Sequence, residues 1–267
     1  MTSSILRPRG RDRVRVHAAP MGIAAGSTEP TRILDWRHPR VAMLVRGLGA
    51  TTASDPENAA AHRVQALRTA HRWIAAAVRP VYSVRDERPV SEVLRRGRGS
   101  CSQRLAVLES VARASGVATR VRGLVVDGTF WYPRFPRLHR IVPDQVLLAW
   151  PEFRIDGLSS DGHPAAPWLT VSELFGDLGE LSADPGGGFT NADSETLFEA
   201  LSRTAIDWDG ATACPSTGAP CDLSAHVLAD LGHFDSRDEL FARHGQTLCG
   251  TARLLAEPVL GRRAAGA

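Results

Sequence analysis

At 267 residues, 43% hydrophobic and 23% charged, the chain has the composition of a soluble globular protein, and it is long enough for one large domain or two small ones. No apolar run approaches the roughly 20 residues that cross a bilayer as a helix. The net charge of +3 is concentrated in a tail carrying Arg7, Arg9, Arg11, Arg13 and Arg15 against Asp12 alone, so the remainder is close to neutral.

Several function classes drop out at once. The folded part lacks the interleaved aromatic and basic residues of a nucleic-acid platform, so no nucleic-acid partner is expected. All 32 basic residues are arginine, which excludes Schiff-base lysines, a phosphate-loop lysine and a Ser-Lys dyad. Such usage fits a GC-rich bacterial coding genome. The N-terminus has no apolar core of signal-peptide type, so a cytoplasmic location is expected. Cys214, Cys221 and Cys249 lie near His226, His233 and His244 in sequence, but without a C-x-x-C pair. Core or surface thiols are the better reading, and no metal is expected.

In chain order, residues 1–30 read as a disordered basic tail. A helix is expected from about Pro56 to Val78, where Val64, Leu67, His71, Ile74 and Val78 recur at three- and four-residue steps and Pro80 stops it. "SEVLRRGRGS" is a short helix broken by Gly97 and Gly99. Cys101 to Ser115 follows as an amphipathic helix with Leu105, Leu108 and Ala112 on one stripe, ended by Gly116. The pattern then turns to strand: "VATRVRGLVV", the turn pair Asp127-Gly128, and "TFWYPRF". "DQVLLAWPEFRIDG" is a second, nearly continuous apolar strand, in which Pro151 implies an edge or a bulge. After Trp168 come short helices at "TVSELFGDLGEL" and "SETLFEALSRTA", separated by a Gly-rich linker or lid around Gly186 to Gly188. "LSAHVLADLG" and "SRDELFARHGQTLCGTARLLAEPVL" then complete a helical C-terminal part. The organisation is a tail over 1–30, a core over 31–180 and a helical extension over 181–267.

The chemistry centres on "RRGRGSCSQRLAVLESV". A cysteine in the first turn of a helix faces unpaired backbone N–H groups and a partial positive charge, which favour the thiolate. Gly97 and Gly99 allow a close approach, and Arg98 adds positive potential. A plain buried cysteine is the competing reading.

The run "RRGRGSCSQRLAVLESVARASGVATRVRGL", together with the upstream helix "HRWIAAAVRPVYSV", resembles the transglutaminase-like superfamily over about Ala66 to Asp161, with arylamine N-acetyltransferases as neighbours on the same fold. The resemblance implies an α+β, papain-like fold in which a helical layer carrying the cysteine packs on an antiparallel sheet. It also implies a Cys-His-Asp triad. Cys101 carries over as nucleophile, but aligning Trp150 and Asp156-Gly157 puts Leu148 in the histidine slot. His139, 38 residues after Cys101, is the first candidate base and His163 the second. Asp156 or Asp161 is the candidate acid. The N–H of Cys101, with Ser102 or Gln103, would hold the oxyanion. Trp131 and Trp150, with Tyr132 and Phe135, are candidates for lining an acyl or peptide groove, against a core role.

The function implied is a thiol acyltransferase or amide hydrolase that forms a Cys101 thioester with a peptide or small-molecule amide or acyl donor and needs no cofactor. A non-catalytic binding module on the same fold, or an acyl-coenzyme A-dependent N-acyltransferase, are the alternatives.

Overall fold

The computed structural model describes residues 24–50, 58–135, 142–158, 167–183, 188–192, 194–212 and 222–247. Seven α-helices, α1 (Pro39–Gly47), α2 (Ala59–Ala77), α3 (Val90–Arg96), α4 (Cys101–Ala114), α5 (Leu178–Ser182), α6 (Leu197–Ala200) and α7 (Arg237–His244), accompany six strands among these residues. The strands are β1 (Arg79–Pro80), β2 (Arg98–Gly99), β3 (Ala118–Asp127), β4 (Gln145–Arg154), β5 (Trp168–Thr170) and β6 (Val227–Phe234). β1 and β2 form a small parallel pair, and the other four make an antiparallel sheet in the order β5-β4-β3-β6. The fold is α+β, as expected.

α4 is the structural axis. It is not amphipathic in the way its sequence suggests: every residue from Gln103 to Arg113 is buried. Leu105, Val107, Leu108 and Val111 are fully enclosed, each worth about 1.5–3 kcal/mol relative to exposure. Charged residues survive such burial only when ion-paired or hydrogen-bonded, and each one here is. Arg104 pairs with Glu199 at 2.6 Å and Glu109 with Arg237 at 2.5 Å. Arg113 donates to Thr119 Oγ1 at 2.7 Å and to the Asp235 carbonyl at 2.6 Å.

From Gly116 the chain enters β3 at Ala118, which is in register with Arg154 of β4, while Leu124 faces Leu148 and Asp127 faces Gln145. The expected tight hairpin at Asp127-Gly128 is instead a 3-10 turn over Gly128–Arg134. Pro151 sits where the sequence places it, beside an open edge, because β5 pairs only with residues 152–154 of β4.

The C-terminal part departs from the helical reading. Residues expected as the helix "LSAHVLADLG" form β6, which joins β3 at the sheet edge, and α7 stops at Gly245, with φ of 77°. Alternating apolar residues in "VLADLGHF" fit a half-covered edge strand, and pairing with β3 overrode the local helical preference. The supposed linker also contributes, since Phe189 is buried and Asn191 Nδ2 donates to the Phe130 carbonyl at 2.6 Å. Near the N-terminus, Ser27, expected within the disordered tail, is tied to Thr119 of β3 through two backbone hydrogen bonds of 2.9 and 3.0 Å. One hydrophobic cluster runs from Ile33 to Phe241 and takes in α1, α4, the sheet and α7. The C-terminal segment is therefore part of the same core as the cysteine helix.

Candidate active site

Cys101 is held by three devices. Gly97 ends α3 in the left-handed region at φ 57°, and its carbonyl accepts from Arg79 N at 3.0 Å. Ser100 then caps α4, and Gln103 closes a capping box by accepting from Ser100 N at 3.1 Å. Gln103 Nε2 also donates to Ser83 Oγ at 3.0 Å and to the Arg85 carbonyl at 2.8 Å. The Gln103 side chain, a candidate oxyanion donor, is thus committed to building the site. Ser102 Oγ accepts from Arg237 Nη1 at 3.0 Å, and Nη2 of the same guanidinium donates to the Ala149 carbonyl at 3.2 Å. One buried arginine from α7 therefore locks the first turn of α4 to the stretch of β4 that follows Leu148.

The sulfur is not held ionised. Cys101 is half-buried and packs against the core, and burial pushes its thiol up to about 12. Arg104 and Arg237 oppose this rise, while Glu199 and Asp86 reinforce it. The expected thiolate is corrected to a neutral thiol, because loss of solvation outweighs the two cations. The thiol needs a base before it can attack.

Among the described residues no histidine hydrogen-bonds the sulfur. His38 caps α1, and His62 is exposed on α2. His226 lies against Phe130, His233 bonds Glu152 at 3.2 Å, and His244 meets Phe234. His71 shares Arg104 and Glu199 as charged neighbours with Cys101, but its Nε2 is engaged with the Phe198 carbonyl at 2.7 Å. Leu148, in the histidine slot, is a buried aliphatic side chain that cannot carry a proton. His139, Asp161 and His163 lie outside the described residues, as do Cys214, Cys221 and Cys249.

Asp156 is not brought to the cysteine. It is exposed in the turn after β4, at the strand end paired with Ala118, where α4 terminates. The adjacent Gly157 faces Ala60 in the first turn of α2, whereas the carbonyl of Ala75, in the last turn, accepts from Arg104. The length of α4 therefore lies between Asp156 and Cys101, about 21 Å at 1.5 Å per residue.

The aromatic candidates divide. Trp150 is 1% exposed and packs edge-on against Trp208 at 5.6 Å, so it belongs to the core and lines no open groove. Trp131 is half-buried and edge-on to Phe130 at 4.8 Å.

Four residues around the sulfur escaped the sequence reading: Asp86, Arg104, Glu199 and Arg237. Arg104 leaves a local trace, three positions after Cys101 on the same helix. Glu199 and Arg237 approach from more than ninety residues away and leave none.

Residues 48–171 match the family model described as the transglutaminase-like superfamily. No curated protein and no solved structure matches the chain. The match spans the cysteine helix and both long strands of the sheet, and it supports the resemblance to that superfamily over these residues.

Proposed function

We propose that the protein is a cysteine-dependent acyltransferase or amide hydrolase acting through Cys101. The sulfur attacks the carbonyl carbon of a carboxamide or activated acyl group, forming the S–C bond of a thioester. The amine or other leaving group departs with the proton first taken from the thiol, and water or an amine then cleaves the thioester.

The observation that carries this reading is the placement of Cys101 as the first residue of a capped, fully packed helix. A second observation supports His139 as base. Phe135, just before the segment 136–141, packs on Tyr82 at 4.5 Å, next to Ser83, which Gln103 holds. Just after it, Asp144 leads into β4 at Gln145, the strand end nearest Ser102. Both flanks of His139 thus lie at the cysteine end of the molecule. An imidazole entering there would meet Asp86 and Glu199, whose charges act on the sulfur, and not Asp156.

A non-catalytic binding module is the second reading, favoured by Leu148 in the histidine slot and by the raised thiol. A p-nitrophenyl acetate burst separates the two. The enzyme reading requires a stoichiometric burst that is absent in Cys101→Ala and slowed about 100-fold or more in His139→Ala. A burst indifferent to His139 would leave the binding module. Acetyl-coenzyme A, offered as donor in the same assay, tests the coenzyme A alternative.

A further inference from the structure

The approach to Cys101 carries two cations that no described residue neutralises. β1 and β2 place Arg79 and Arg98 as register partners in a parallel pair, followed by Pro80 and Gly99. Neighbouring strands lie about 4.8 Å apart, and register partners project to one face. Side chains alternate along a strand, and a Cβ on Gly99 would point at Val93 and Gln103, 3.0 and 3.2 Å away. Arg79 and Arg98 therefore project to the opposite face, away from the interior.

Like charges directly opposite one another destabilise a strand pair. Other arginines among the described residues meet carboxylates: Arg95 is held by Glu92 at 2.7 Å, Arg122 by Asp209 and Asp230, and Arg203 by Glu195. Arg79 and Arg98 form no ion pair and no side-chain hydrogen bond among the described residues. Arg98 Nε is moreover shielded from solvent with no acceptor, although a buried donor left unmade costs about 1–3 kcal/mol. Cys101 follows Arg98 by three residues, and β2 leads directly into the first turn of α4. The charge of the two arginines is open to an anionic group arriving along this approach.

We propose that Arg79 and Arg98 form a two-guanidinium clamp that binds an anionic group, carboxylate or phosphate, on the molecule presented to Cys101. Planar guanidinium forks suit both oxyanions. The proposal rests on the thiol reading for its substrate and narrows that substrate to anionic acyl donors.

Two matched alkenes test it. N-Ethylmaleimide is neutral; 3-maleimidopropionate adds a carboxylate at the far end of the same reactive group. Thiol addition to the double bond is followed at the Cys101 peptide by mass spectrometry. Relative to 2-mercaptoethanol, the preference for the anionic reagent is expected to be about tenfold or more in the parent protein. It should fall with salt between 20 and 500 mM and vanish in Arg79→Gln/Arg98→Gln. An equal preference in the parent and the double variant overturns the clamp. A Cys101 inert to both reagents speaks against the nucleophile instead. In that event the clamp is read by thermal shift, with inorganic phosphate or succinate raising the midpoint of the parent and not of the double variant. The better stabiliser shows which oxyanion is preferred, and no shift from either overturns the proposal. If the double variant does not fold, Arg79→Gln alone must lower the preference, since Arg79 is exposed.

Discussion

Arg237 and Glu109 form an ion pair of 2.5 Å in which neither side chain is exposed to solvent. The pair joins α7 to the middle of the cysteine helix, and the remaining guanidinium nitrogens extend to Ser102 and Ala149. Removing one partner of a buried pair strands the other charge. Arg237→Met is expected to cost about 3–5 kcal/mol. The double variant Glu109→Leu/Arg237→Met should be more stable than Arg237→Met alone. Urea unfolding of the three proteins checks the ordering.

The raised thiol gives a signed pH dependence. Below its unfolded value of 9.0, Cys101 is neutral folded or unfolded and contributes no slope. Between there and about 12 the unfolded chain ionises first, so stability falls as pH rises. In His139→Ala, Cys101 alkylation should climb about tenfold per pH unit toward pH 12, following the thiolate fraction. The parent should show an added limb that levels off near neutrality as an imidazole takes the proton. Iodoacetamide rates from pH 5 to 11 distinguish the profiles.

His71 titrates in the opposite sense. Burial, countered in part by the hydrogen bond to the Phe198 carbonyl, holds its pKa below the ordinary value. The fold therefore keeps it neutral while the unfolded chain gains a proton below about pH 6.5. Its contribution is complete above that pH and lost as pH falls through it. Thermal midpoints at pH 7.5 and 5.5 should differ less in His71→Phe than in the parent.

Gln103 carries two jobs that one substitution separates. Gln103→Glu keeps an oxygen to accept from Ser100 N but loses the donor to Ser83 and the Arg85 carbonyl. The cap should survive while the 83–86 loop loosens, at a cost of about 1–3 kcal/mol. Gln103→Ala should lose both. Proteolysis within 83–88, followed against global melting, separates local release from unfolding.

The sequence was legible where local rules dominate. The Cys101 helix, its end at Gly116, the two long strands and the edge position of Pro151 follow from periodicity, caps and proline chemistry. It was illegible where distant charge made the difference. Arg104, Glu109 and Arg113 lie off the apolar stripe of the helix, and distant partners such as Glu199 and Arg237 accompany their burial. β6 was hidden for a related reason, since its strand form comes from pairing with β3. Trp150 misled because an aromatic on a strand looks alike in a groove and in a core.

The Arg237 contact also bears on how the protein comes into being. Glu109 is synthesised 128 residues before Arg237, about ten seconds of elongation at ordinary rates. Until α7 leaves the ribosome, the cysteine helix holds, at an enclosed position, a carboxylate without its hydrogen-bonded counter-ion, and Arg113 of the same helix is its remaining cationic neighbour. Nascent chains therefore cannot close this centre early, and the Cys101 thiol gains its final surroundings only when translation has passed α7.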